Sequence, residues 1–409
     1  MTRQLAADLP HIQGDVPSPE LEPAPRRFKR LRGLLALGWK WFFGALLCQH
    51  PLSSILVVGW TWRLMQRHAW RQWWKASDVG GAFEAFMAQD ERTWMHDRWP
   101  NWIMGSARAQ SIPAGETKRK IMTLLRRLAG SLYDNAKFGL QGILNTWALT
   151  LPGCGLWLAA WFAGWNNSFH KGYELAWVGP STGVIGVGLF IVAMLYVPLA
   201  QARQAVTGQW RAFYDFAVIW RLIRQRWRSS IVLAGLYSFW SLPVMALLTL
   251  PAFFEQVWPD TATLTDTEAL AFLKTYFFRV SLLGFALVVL LRRRAAGLYA
   301  RAVMTAVQTG AIRVEALSAT EQLAFQRLNL QSGSPPPRRA LIIRTPMWMG
   351  ARLVEGVAVV VTLGVWLSFV AQIFVSEFFN YHPIAGWLNQ PLVQLPWFAS
   401  IPLTLATHR

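Results

Sequence analysis

Five stretches of the sequence, 142–165, 177–199, 230–254, 270–291 and 353–374, are almost wholly apolar and long enough to cross a bilayer. A crossing helix needs about 20 mostly apolar residues, at about 1.5 Å each, to traverse about 30 Å of hydrocarbon. Inside hydrocarbon, a helix satisfies every backbone N–H and C=O within its own segment. The expected fold class is therefore an all-α integral membrane protein. Its core is a bundle of about five transmembrane helices, flanked by basic amphipathic cytoplasmic helices.

The loops between these stretches alternate in charge. "KRKIMTLLRRLAGSLYDNAKFG" precedes the first, "ARQAVTGQWRAFYDFAVIWRLIRQRWRS" follows the second, and "RRRAAGLYAR" follows the fourth. The intervening loops, "NNSFHKGYE" and "EQVWPDTATLTDTE", are near-neutral or acidic. Lys and Arg collect on the cytoplasmic side of membrane proteins. The N-terminus is then cytoplasmic and the C-terminus periplasmic, and of all the cations only Lys171, Lys274, Arg279 and Arg409 lie outside. The net charge of +19 is thus placed on one membrane face, which accounts for it without nucleic acid.

A sixth apolar region, within 33–75, breaks this pattern. Arg26, Arg27, Lys29, Arg30 and Arg32 precede it, and Arg63, Arg67, Arg71 and Lys75 follow it, so a single crossing would strand one cluster outside. Its two apolar arms, 34–48 and 52–62, reach only about 22 and 16 Å as helices. Gln49, His50 and Pro51 separate them, and Pro ends a helix and restricts the residue before it. The region reads as a helical hairpin with both ends cytoplasmic, either re-entrant or lying at the interface. The remaining parts are a disordered tail (1–32), a Trp-rich and basic segment (76–141), a basic helix over 203–229 inside a four-span core (142–291), cytoplasmic helices with a Pro-rich linker (292–352), and a periplasmic tail (375–409).

Trp is abundant, at 24 residues, and collects at membrane–water interfaces. Arg63, Arg67, Trp70, Arg71, Trp73, Trp74 and Lys75, with Arg221, Arg224 and Arg228, are the candidate surface for anionic lipid or a partner. Pro152 and Pro243 interrupt outgoing spans, as broken helices do around transporter sites. With Asn145, Thr150, Ser241 and the span residue Arg279 they form a candidate pore or substrate site; helix kinks and a snorkelling Arg are the competing explanation. Gly179, Gly183 and Gly186 match the small-residue pattern of packed membrane helices. Ser318 and Glu321 form a capping box.

Cys48 and Cys154 are the only cysteines, which excludes a disulfide framework. No metal spacing, P-loop, nucleophile elbow or paired carboxylate is present, so neither a cofactor nor a metal is expected. The expectation is a non-enzymatic accessory or scaffolding subunit. Its partners would be anionic lipid headgroups and a protein partner or a second copy, without nucleic acid. The alternative is an uncoupled permease or channel subunit. "MLYVPLAQARQAVTGQWRAFYDF", "WRLIRQRW" and "WPNWIMG" resemble an uncharacterised family of bacterial multi-pass inner-membrane proteins. The resemblance implies a bacterial inner-membrane location and brings no activity with it.

Overall fold

A computed structural model describes residues 26–77, 79–88, 117–161, 177–330, 353 and 357, and every regular element among them is helical. The chain divides into two units, Met1–Trp39 and Lys40–Arg409. The first contributes the opening turns of α1 (Arg26–Leu47), where Leu34, Leu35, Leu37 and Trp39 are exposed. The second holds every other helix.

The breaks between helices follow local chemistry. Pro51, at the first helical position, opens α2 (Pro51–Ala76), and the His50 imidazole accepts the Leu52 N–H at 3.2 Å. Phe83–Ala88 forms the short α3. The 45-residue α4 (Thr117–Trp161) joins the basic segment to the expected first span without interruption. After α5 (Val178–Thr207), Gly208 takes a left-handed conformation, φ 70°, and ends the helix. Asp215 caps α6 (Phe216–Gln225), and α7 (Trp227–Thr249) follows after a break at Arg226. Reciprocal capping boxes start α8 (Asp266–Gln308), through Thr265 and Glu268, and α9 (Ala319–Arg327), through Ser318 and Glu321.

Among the described residues, two helices, α5 and α8, are long and apolar enough to cross a membrane. The stretches 142–165 and 230–254 fall mainly in α4 and α7, while 353–374 lies outside the described residues apart from Leu353 and Val357. The expected single helix over 203–229 is corrected. Gly208, the turn Trp210–Tyr214 and Arg226 divide it, and Ala202–Thr207 belongs to the buried end of α5.

Side-chain contacts fix the relative helix directions. Trp60 stacks on Phe285, Trp62 lies under Arg292 and Trp73 Nε1 donates to the Ala300 carbonyl at 3.0 Å, so α2 and α8 run parallel. Gln201 meets Thr146 and Gln204 meets Asn145, which makes α4 antiparallel to α5. Tyr276 bonds the Leu247 carbonyl and Arg226 bonds Thr305, so α7 is antiparallel to α8. One close crossing, of α2 with α4, needs glycine at two positions. A Cβ on Gly59 would collide with the Asn135 carbonyl, and one on Gly139 with the Ile55 carbonyl. The largest apolar cluster lies toward the ends of α2, α5 and α8 and includes Met65, Trp70, Trp73, Tyr299 and Phe325. Aromatic side chains of this size each bury about 150–250 Å², which makes this end the main source of hydrophobic stabilisation.

Candidate functional site

Two polar assemblies occur where α2, α5 and α8 end. The first is buried. Arg203 of α5 is 2% exposed, with a guanidinium nitrogen 2.5 Å from Asp215 Oδ2 and its Nε 3.5 Å from Glu321 Oε1. Glu321 is fully buried; it accepts the Tyr299 hydroxyl and, at 2.7 Å, the Ser318 N–H. One cation therefore ties α5 to the cap of α6, to α8 and to the first turn of α9.

One layer away, the fully buried Arg292 of α8 donates to Gln201 of α5, whose amide donates to Thr146 of α4 at 2.9 Å. The Arg292 guanidinium lies 4.7 Å over the Trp62 ring of α2. Asn145 donates to Gln204 Oε1 and accepts the Tyr214 hydroxyl, each at 3.1 Å. Arg63 pairs with Asp134 at 3.8 Å. These groups are committed to one another, an arrangement suited to fixing helix register rather than to turnover.

The second assembly is on the surface. His68, Arg71 and Lys75 share one face of α2 by spacings of three and four, and Arg293, Gly297 and Arg301 share one face of α8. The two faces meet where His68 packs on Gly297. A Cβ there would lie 3.4 Å from His68 Nε2 and 3.9 Å from an Arg301 terminal nitrogen. Gln72 Nε2 is 3.3 Å from His68 Nε2. Arg71, Lys75, Arg293 and Arg301 are exposed. Burial, followed by repulsion from Arg293, Arg71, Arg301 and Lys75, brings the His68 imidazole from its ordinary 6.5 down to about 4.

Stability should depend on pH as a result. Between 6.5 and 4 the unfolded chain binds a proton that the folded chain refuses, so stability from the neutral imidazole is complete above 6.5 and declines as pH falls toward 4. Thermal unfolding of wild type and His68→Gln, compared from pH 7 to 4, is expected to show a steeper acid loss in wild type. Equal slopes would contradict the assignment.

The sequence-derived lipid surface is placed unevenly. Arg71, Lys75, Arg221 and Arg224 are exposed, and Arg67, Trp74 and Arg228 are half-buried. Arg63, Trp70 and Trp73 are core residues, Arg63 against α4, Trp70 against Phe86 of α3 and Trp73 against α8 and α9, and are corrected out of that surface. The pore candidates do not converge. Asn145 is occupied by Gln204 and Tyr214, and Thr150 returns its hydroxyl to Thr146 of its own helix at 2.9 Å. Pro152 and Arg279 are exposed, Pro243 is half-buried inside α7, and the Ser241 side chain lies outside the described residues. Gly179, Gly183 and Gly186 are buried, and a Cβ on Gly153 would stand 3.0 Å from the Gly186 carbonyl, so α4 and α5 approach closely there.

Arg203, Gln201, Arg292, Tyr299 and Glu321 were not singled out as site residues by the sequence. The available signal was small residues around charge: Ala200, Ala202 and Ala205 flank Arg203, and Ala295, Ala296 and Gly297 follow Arg292. Small neighbours let other helices approach and close over the polar group. Comparison with protein-family models, curated proteins and solved structures finds no match.

Proposed function

We propose that the chain is a non-enzymatic multi-pass inner-membrane protein, an accessory or scaffolding subunit whose basic cytoplasmic face holds anionic lipid. The observation that carries this reading is the exposed cationic surface shared by the parallel helices α2 and α8 just beyond the apolar stretch of α8. Each Lys or Arg near an anionic leaflet contributes about 1 kcal/mol, or about fivefold in affinity. Neutralising Arg71, Lys75, Arg293 or Arg301 singly to Gln is expected to lower retention of phosphatidylglycerol over phosphatidylcholine by about that factor, in mild detergent at low salt. Equal retention of both lipids by wild type, unaffected by salt, would refute the reading.

Within it the hairpin is re-entrant. Its turn bonds to α8 midway along the 270–291 stretch: the Gln49 amide reaches the Phe277 carbonyl at 3.4 Å and the Ser281 hydroxyl. The Ser53 hydroxyl donates to the Leu47 carbonyl at 2.6 Å and the Ser54 hydroxyl to the Pro51 carbonyl at 2.6 Å. A turn at membrane depth needs such internal partners for its backbone, whereas a turn among headgroups would have water. A cysteine at position 50, with Cys48 and Cys154 replaced by Ala, is expected to resist an impermeant maleimide added from the periplasm, while one replacing the exposed Thr263 labels. Labelling of both would place the turn outside. The permease alternative draws less support, because the polar side chains of α4 bond within the bundle.

A further inference from the structure

The geometry points to a discrete site for one phospholipid headgroup phosphate between α2 and α8, built by Arg71 and Lys75 on one side and Arg293 and Arg301 on the other. The inference rests on the membrane reading above and narrows it from a diffuse charged face to a single bound lipid.

Three observations converge on it. Residues 68, 71 and 75 line one face of α2, and 293, 297 and 301 line one face of α8, so parallel rails of cations flank a shared centre. That centre is held by the His68–Gly297 contact, with Gln72 beside the ring as a further amide donor. The four charged groups acting on His68 from both helices are all cationic, and Arg301 is further crowded by Arg226 and Arg294. Like charges gathered on two packed helices repel, and an anion carrying several acceptor oxygens removes that repulsion. Arginine favours it through two-pronged bonding to phosphate.

Depth selects the occupant. The apolar stretch of α8 ends at Leu291, and Gly297 lies six residues further, about 9 Å along the helix axis. This is headgroup depth for a helix that crosses the membrane, and Trp74, half-buried on α2, suits the same zone. The phosphate is therefore that of an anionic membrane phospholipid rather than a soluble one.

Native mass spectrometry of the full chain, released from micelles doped with phosphatidylglycerol or phosphatidylcholine, counts bound lipids. Wild type is expected to keep one phosphatidylglycerol through activation that strips the rest. Lys75→Gln with Arg301→Gln should weaken that lipid at least tenfold, by loss of two cations at about fivefold each. Lys75→Arg with Arg301→Lys should keep it. Arg221→Gln with Arg224→Gln removes equal charge from α6 and should leave the retained lipid within about twofold.

If both Gln pairs weaken phosphatidylglycerol equally, the charged face exists but the discrete site does not. If wild type shows no preference between the two lipids, the membrane-face reading itself fails. Displacement of the retained lipid by millimolar inorganic phosphate, or an acidic protein held there in its place, would overturn the lipid assignment. All substituted side chains are exposed, and matching melting temperatures exclude misfolding as a cause.

Discussion

Glu321→Ala is expected to destabilise the protein by about 3–5 kcal/mol, the range for removing one partner of a buried ion pair. Glu321 is fully buried, pairs with Arg203 at 3.5 Å and accepts hydrogen bonds from the Tyr299 hydroxyl and the Ser318 N–H. Its removal takes one of two carboxylates from the buried Arg203 guanidinium, takes the acceptor of the Tyr299 hydroxyl and opens the cap of α9. The loss is expected first as release of α9, read as trypsin cleavage after Arg313 in mild detergent. It should then appear as a lower denaturant midpoint for the whole chain. Arg203→Met combined with Glu321→Leu should recover much of the loss, because apolar side chains of similar volume can replace a buried pair. Asp215 tolerates the change, since its side chain is 37% exposed and still caps α6. A double variant as unstable as the sum of the two single variants would show that the charges are not coupled.

The helices themselves were legible because their signals are local. Pro51, and Ser318 with Glu321, start helices where the chain breaks. The break between α1 and α2 at Gln49 and His50 was readable for the same reason. The division of 203–229 was not, because apolar and basic residues there keep helical spacing across Gly208 and Arg226. Only the left-handed backbone of Gly208 and the Asp215 cap reveal the corner.

The candidate site was legible in part. Charge placement identifies a basic end, and spacing places Arg71 and Lys75 on it. Burial was invisible. Arg63 read as part of the lipid surface and Arg203 and Arg292 as members of basic cytoplasmic segments, since an arginine in sequence carries no mark of a partner distant along the chain. Trp70 and Trp73 read as interfacial anchors, although Trp73 instead packs edge-on to Phe325 at 5.6 Å and bonds the Ala300 carbonyl. Tryptophan suits a core or an interface equally, and what decides is whether other elements cover it, here α3 for Trp70 and α9 for Trp73. The functional reading depends on this distinction. Cations that are paired inside fix helix register, and it is the exposed Arg71, Lys75, Arg293 and Arg301 on which the proposed lipid contact rests.

Gly59→Ala or Gly139→Ala is expected to force α2 and α4 apart and cost about 1–3 kcal/mol or more, the range for overpacking a close-packed interior. At both positions the added methyl meets backbone, the Asn135 carbonyl or the Ile55 carbonyl, and no rotamer change can relieve it. The crossing also seats Arg63 against Asp134 one turn away, so widening it should weaken that pair as well. The double variant should cost less than the sum, because the first methyl has already opened the gap used by the second. Gly130→Ala and Gly155→Ala provide the contrast: both lie in α4 with open space where the methyl would sit. There only helix propensity acts, and Ala gains about 0.5–1 kcal/mol over Gly. Denaturant midpoints should therefore move in opposite directions within one helix, down for position 139 and up for 130 and 155. If all three move up, α2 and α4 do not cross at Gly59 and Gly139, and the packing of α2 on α4 would have to be rebuilt.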